Sequence, residues 1–318
     1  VTNQLIAAAR NILEQCLDLK HDETLLVVSD STRPEICQAL RLAGQELGAE
    51  ALLLEMAPRE RSGQEPPDVV AVAMKQADVV VCPTAHSLTH TRARQEAAAA
   101  GARIATMPGI TLDMFEHGPI TANYSEVARL TQRVADILTH GKHVRVVKDG
   151  AVFTCSIEGR AGIPSTGVYR ERGQSGNLPS GEAYIAPLEG TAEGELIVDG
   201  SMVGLGLLNE PLRLTVRQGL LVRADGDRAQ EWLAKLGDSD AARNVAELGI
   251  GTNRKARLTG VILEDEKAYG TIHVAFGSNA TFGGTVQAGV HLDGVIRRPT
   301  VYVDGQLVMQ DGELTVSG

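Results

Sequence analysis

The residues of this 318-residue chain best suited to chemistry lie toward its C-terminal end. In Val290-His291-Leu292-Asp293-Gly294, read as a strand, His291 and Asp293 are two apart and project to one face. A neutral imidazole beside a carboxylate suits a divalent cation. His273 lies in 271-TIHVAFG-277, a run apolar enough for a buried strand, where a histidine needs a partner for each ring nitrogen. Glu247, in 244-NVAELGIGTN-253, is flanked by Ala246 and Leu248 and followed by small residues, a setting that predicts burial. Glu182, in 177-NLPSGEAYIAP-187, follows a Pro-Ser-Gly turn and enters an apolar segment. Buried carboxylates must be paired or coordinated. Taken singly, each residue also has a plainer reading: a solvated His and Asp pair, a core histidine satisfied by backbone, or a glutamate at a hairpin edge.

Other motifs are absent. There is no G-x-x-x-x-G-K-[ST] phosphate loop, H-E-x-x-H zinc motif or G-x-S-x-G nucleophile elbow. Gly204-Leu205-Gly206 and Gly249-Ile250-Gly251 lack the third glycine of the dinucleotide fingerprint and do not follow the first strand, which argues against NAD. His86 and His90, in HSLTHTRAR, are four apart and share a helix face only if that helix begins early. With no carboxylate beside them, the plainer reading is a helix start after strand 78–82. Residues 86–92 are then a candidate wall of a substrate pocket, because open α/β sheets bind ligands beyond the carboxyl ends of their strands.

The elements that must position these residues fall into two textures. Up to about residue 140, predicted strands 24–29, 50–55, 78–82 and 103–106 alternate with helical spacing over 33–48, 67–77, 88–102 and 124–140. This predicts an open α/β sheet of Rossmann or flavodoxin type over residues 1–141, closed by the 124–140 helix. After Gly141 come short alternating runs with Asp-Gly turns at 149–150, 199–200, 225–226 and 304–305. HVRVVKDGAVFTCSIEG and TVYVDGQLVMQDG each predict strand, turn, strand, and 227–237 and the first half of 239–251 predict a helical insert. Residues 142–318 are therefore expected to form a mainly antiparallel β domain that carries the metal-binding residues.

NLPSGEAYIAP, AELGIGTN, the IHVAFG histidine and HLDG, in that order, resemble the metal-ligand blocks of thermophilic metallo-aminopeptidases of the aminopeptidase T and aminopeptidase S type. The resemblance spans the second predicted domain and implies that Glu182, Glu247, His273, His291 and Asp293 bind two divalent ions, zinc, cobalt or manganese. It also implies a homodimer whose first domains help enclose the site. The function expected is hydrolysis of an amide in a small molecule or short peptide by metal-activated water, with Glu182 or Glu247 as the catalytic base. Three ligand carboxylates, two divalent cations and one hydroxide sum to zero charge. Arg254, Lys255, Arg297 and Arg298 lie near these blocks and could bind a substrate carboxylate. The family tyrosine seven residues after the first histidine is Ala280 here, leaving Tyr184 and Tyr269 as the nearest in sequence.

Iron-dependent 2,5-dihydroxypyridine dioxygenases resemble the same family. They imply an alternative in which His273, His291 and Asp293 hold one iron and the substrate is a dihydroxylated aromatic ring. In those enzymes the block equivalent to AELGIG carries a histidine, and the SGE glutamate and the first histidine are lost. Glu182, Glu247 and His273 are all present here, which favours hydrolysis. A third expectation is a ligand-binding protein without a tightly held metal.

The net charge of −10 opposes binding to nucleic acid or anionic membranes. Cys16, Cys37, Cys82 and Cys155 form no C-x-x-C pair, which argues against a zinc ribbon or disulfide framework. The amphipathic, partly acidic amino terminus is unlike a secretory signal, and a soluble cytoplasmic protein is expected.

Overall fold

The computed structural model describes residues 1–316, so the end of the second predicted domain, residues 317 and 318, lies outside the described residues. The chain divides into two compact units, Val1–Ser125 with Gly167–Ser180, and Glu126–Thr166 with the chain from Gly181 onward. It is a mixed α/β protein whose described residues form one parallel and two antiparallel sheets.

In the first unit, Thr24–Ser29, Glu50–Glu55, Val79–Cys82 and Arg103–Thr106 form strands within a residue of the predicted positions. The near-continuous apolar runs of Thr24–Ser29 and Val79–Cys82 suit strands covered on both faces, whereas Glu50–Glu55, at the edge of the sheet, is mostly exposed. The order across the sheet is Glu50–Glu55, Thr24–Ser29, Val79–Cys82, Arg103–Thr106 and Ser175–Asn177, parallel throughout. The last strand is not predicted. Ser175-Gly176-Asn177 has no apolar pattern, and it is recruited by the 167–180 segment returning to this unit. Helices Asn3–Gln15 and Arg92–Ala99 start at side-chain caps, where Thr2 accepts from Leu5 N–H and Thr91 from Arg94 N–H.

In the second unit, the helix Tyr124–His140 was expected to close the first domain. Instead it supplies Val134, Ala135 and Leu138 to the core here. That core draws on two antiparallel sheets. One has eight strands and contains the hairpins His143–Lys148/Ala151–Ser156 and Thr300–Val303/Gln306–Gln310. The other has seven strands, with Ser201–Met202, His291–Arg297, Thr271–Gly277, Val245–Gly251 and Glu182–Ile185 as consecutive neighbours. Trp232, from helix Ala229–Leu236, is fully buried and meets the Phe276 ring edge-on at 5.7 Å. Asp225-Gly226 is not a hairpin turn: it ends strand Leu220–Asp225 and leads into that helix.

Candidate metal centre

Strand pleating sorts four neighbouring strands of the seven-stranded sheet into two faces. Register sets Gly249 opposite both His273 and Tyr184, Gly251 opposite Glu182, Ala275 opposite Glu247 and Asp293, and Gly277 opposite His291. One face therefore presents Glu182, Tyr184, Glu247, His273, His291 and Asp293, interleaved with Gly249, Gly251, Ala275 and Gly277. The other presents Ile185, Leu248, Ile250, Ile272, Val274, Phe276 and Ile296 to the core. Small residues between ligand-type ones leave room for the latter to converge. At Gly249 this room is essential, because a Cβ there would lie 2.0 Å from His273 Nε2.

The two imidazoles share one carboxylate. His273 Nε2 is 3.1 Å from Glu247 Oε1, and His291 Nε2 is 3.4 Å from Glu247 Oε2. His291 Nε2 is also 3.6 Å from Asp293 Oδ1, and His273 Nε2 is 3.5 Å from Glu182 Oε2. His291 Nδ1–H donates to the Ser278 carbonyl at 2.8 Å, which leaves Nε2 to face the carboxylates. His273 is wholly inaccessible, and Glu182, Glu247 and Asp293 are buried. The Phe282 ring stands edge-on to both Tyr184, at 5.6 Å, and His291, at 5.8 Å.

All five residues singled out in the sequence thus meet on one face. Two that were not singled out join them. Lys267 is buried with its Nζ 3.0 Å from Glu182 Oε1, and it forms an ion pair with Glu266. In sequence, Glu264-Asp265-Glu266-Lys267 has the look of a solvated charge run. In the structure, Glu264 pairs with Arg257, Asp265 accepts the N–H groups of Thr259 and Gly260, and the next two residues enter the site. The signal that could have found them is position, since four charges lie close before the apolar strand that holds His273.

Glu182, Glu266 and His273 form one group with ligand atoms within 4.8 Å of one another, and Glu247, His273 and Asp293 form another. Glu182 Oε2 and Asp293 Oδ1 are buried without a hydrogen-bond partner, as carboxylate oxygens aimed at a cation would be. Two imidazoles with carboxylates are a donor set that fits a first-row divalent metal.

Without a metal, protons take over part of its task. Burial pushes the Glu247 carboxyl up, but hydrogen bonds from His273 and His291 outweigh it and hold Glu247 at about 2. Burial lowers His273 and His291, but the carboxylates beside them, Glu247 and Glu182 for the first and Asp293 and Glu247 for the second, raise them to about 9 and about 11. Burial, then Glu182, raises Glu266 to about 8. Stability linked to Glu247 is present above its ordinary 4.5 and lost as pH falls through about 2. Stability linked to His273 is complete below its ordinary 6.5 and lost as pH rises through about 9, and that linked to Glu266 falls as pH rises from 4.5 through about 8. The metal-free protein should therefore lose thermal stability as pH rises from neutral toward 9, and loading a divalent ion should flatten that fall. Melting curves against pH with and without metal check this; the same slope in both would contradict it.

Several expected contributors lie elsewhere. His86 and His90 do not share a helix face, because the helix starts only at Arg92, after the Thr91 cap. The Thr84 hydroxyl donates to the His86 carbonyl, and burial, then Arg94, lowers His90. Arg254 stacks on the Tyr269 ring at 3.7 Å, and Arg298 Nε donates to the Asp311 carbonyl. Ala280 is exposed, whereas Tyr184 stands on the ligand face, its phenol pushed up by burial and by Glu247 and Glu182. The four cysteines are buried and unbridged. No helix among the described residues is long and apolar enough to cross a membrane.

Fold and site together define a class of mixed α/β proteins with a buried histidine and carboxylate cluster built on an antiparallel sheet. A family model, 2,5-dihydroxypyridine 5,6-dioxygenase, matches residues 4–316, and the chain belongs to that family. A 2,5-dihydroxypyridine 5,6-dioxygenase of Pseudomonas putida KT2440 is 26% identical over 187 residues, 54% of this chain and 53% of the relative, so the match spans about half the length of that curated protein. The structure of a 2,5-dihydroxypyridine dioxygenase from Pseudomonas putida KT2440 superimposes with a TM-score of 0.82 at 20% identity, covering 100% of this chain and 99% of the other. Aminopeptidase T of Thermus thermophilus superimposes with a TM-score of 0.72 at 17% identity, covering 98% and 99%. At these identities the superpositions speak for the fold alone.

The family match overturns the expected amide hydrolase, and with it the aminopeptidase and metalloprotease assignments. The physical reason for the error is that imidazoles and carboxylates on this sheet are donors common to both chemistries. Among the described residues, two groups of histidine and carboxylate side chains are placed so that they could hold a metal ion.

Proposed function

We propose that this protein is an iron-dependent dioxygenase that opens a dihydroxypyridine-like aromatic ring, with His273, His291 and Asp293 as the ligands of one ion. The observation that carries the reading is the convergence of two imidazole Nε2 atoms and the Asp293 carboxylate about Glu247 on one sheet face. His273, His291 and Asp293 would hold that ion through two imidazoles and one carboxylate, a donor set suited to ferrous iron. When bound, the iron supplies the electronic route by which dioxygen reacts with an electron-rich ring.

The chain's own residues do the rest. Ser278 holds the His291 tautomer through its carbonyl. Glu247 presents its buried Oε2, 3.4 Å from His291 Nε2, as the acceptor for the proton of a ring hydroxyl. Tyr184 and Phe282 offer aromatic surface beside His291, which orients a flat substrate and excludes water. Phe282→Ala should raise KM about 2- to 10-fold with kcat little changed, as expected for an aromatic contact of about 0.5–1.5 kcal/mol. Steady-state kinetics check this, and an unchanged KM would remove Phe282 from the substrate's surroundings.

This reading departs from the dioxygenase pattern by retaining Glu182, Glu247 and His273, and it replaces the expected pair of divalent ions with one. Its test is oxygen consumption and loss of ring absorbance when the ferrous protein meets 2,5-dihydroxypyridine, with no change under nitrogen. Absence of oxygen uptake with every dihydroxylated pyridine tried would refute it. The same proposal includes a small-molecule substrate, a homodimer, no nucleic-acid partner, and an N-terminal sheet of the doubly wound flavodoxin type, supported by its strand order.

A further inference from the structure

One buried charge has no part in the reading above. Lys267 is 1% exposed, and an ammonium so removed from water persists only when closely paired. Its partners are Glu182 Oε1, at 3.0 Å, and Glu266 Oε1. Those carboxylates hold the ammonium charged in spite of burial. The backbone fixes where it stands: Lys267 N–H donates to the Glu264 carbonyl at 3.0 Å, and its own carbonyl accepts from Asn253 N–H at 2.9 Å.

The two ligand-type groups share His273 but differ in this respect. Glu247 and Asp293 face the imidazoles of His273 and His291, whereas Glu182, itself 3.5 Å from His273 Nε2, holds the ammonium together with Glu266. We propose that Lys267 stands in for a second cation, closing the Glu182–Glu266 pair and limiting the centre to one divalent ion on the Glu247 side of His273. A divalent ion brought to the free Glu182 Oε2 would share both carboxylates with the ammonium, and would meet a like charge where little water screens it. The sheet could accept a second ion only if that charge were removed. The inference rests on the mononuclear reading above and adds the residue that enforces it.

The full chain, stripped with chelator, is reloaded with Mn²⁺, desalted and analysed for bound metal. The wild type should retain one ion per chain, Lys267→Arg one, and Lys267→Met two, with the spin-coupled signal of a manganese pair appearing only in the last. Two ions in the wild type, or a single ion in folded Lys267→Met, would overturn the proposal. Should Lys267→Met fail to fold, Lys267→Gln, which removes the charge but still donates to one carboxylate, is counted against the same outcomes. Asp293→Ala separates the two claims. If it retains metal as the wild type does, the mononuclear reading fails. If it loses the ion while Lys267 variants leave the count at one, only the role of Lys267 falls.

Discussion

Glu247→Gln is expected to fold as the wild type does and to lose turnover by at least about a hundredfold. Glu247 reaches both imidazoles, with Oε1 3.1 Å from His273 Nε2 and Oε2 3.4 Å from His291 Nε2. An amide keeps the volume and branching of the carboxylate, so packing survives. It also turns a donor toward one of the rings and removes a negative charge from the surroundings of the ion, two changes that act on the centre alone. Oxygen-uptake kinetics on protein of verified iron content and melting temperature provide the comparison. Turnover within tenfold of wild type would show that Glu247 neither orients the imidazoles nor takes a proton.

The second large effect belongs to a residue with no side chain. Gly249→Ala would set a methyl 2.0 Å from His273 Nε2, and the backbone at 249 lies outside the left-handed region, so the penalty is steric rather than conformational. The imidazole must swing away from Glu247. Forced overpacking of this kind costs about 1–3 kcal/mol of stability, and misorienting a ligand should weaken metal retention at least about 10- to 100-fold. Gly289→Ala, whose added methyl meets nothing within 4 Å, is the control and should alter neither quantity. Thermal melts and metal titrations of the two variants decide; full metal retention in Gly249→Ala would mean that His273 is not a ligand.

The convergence of Glu182, Glu247, His273, His291 and Asp293 on one sheet face was legible in the sequence because a strand's two-residue period writes its faces directly into the order of residues. E-L-G-I-G, H-V-A-F-G and H-L-D each alternate a ligand-type or small residue with an apolar one, and register brings the alternating positions together. The first four parallel strands were legible for a related reason, since buried parallel strands are continuous apolar runs. Ser175–Asn177 was not, because its place in the sheet comes from a long-range return of the chain rather than from any apolar pattern. Lys267 was hidden because a charged run has the same appearance whether water or opposite charges satisfy it. A shared face for His86 and His90 required an early helix start, and the helix begins two residues beyond the second of them. The chemistry was misassigned for a different reason: donor types define an affinity for divalent metal, while the choice between hydrolysis and ring opening depends on ion number, ion identity and what occupies the remaining positions.

The central claim is that a single ferrous centre here incorporates dioxygen into an aromatic ring. Its most direct test is turnover of 2,5-dihydroxypyridine by the iron-loaded protein under ¹⁸O₂, with mass analysis of the opened product. The account predicts two labelled oxygen atoms entering one product molecule for each dioxygen consumed, with incorporation abolished in Asp293→Ala. Label entering only from H₂¹⁸O, or turnover that continues without oxygen, would contradict it.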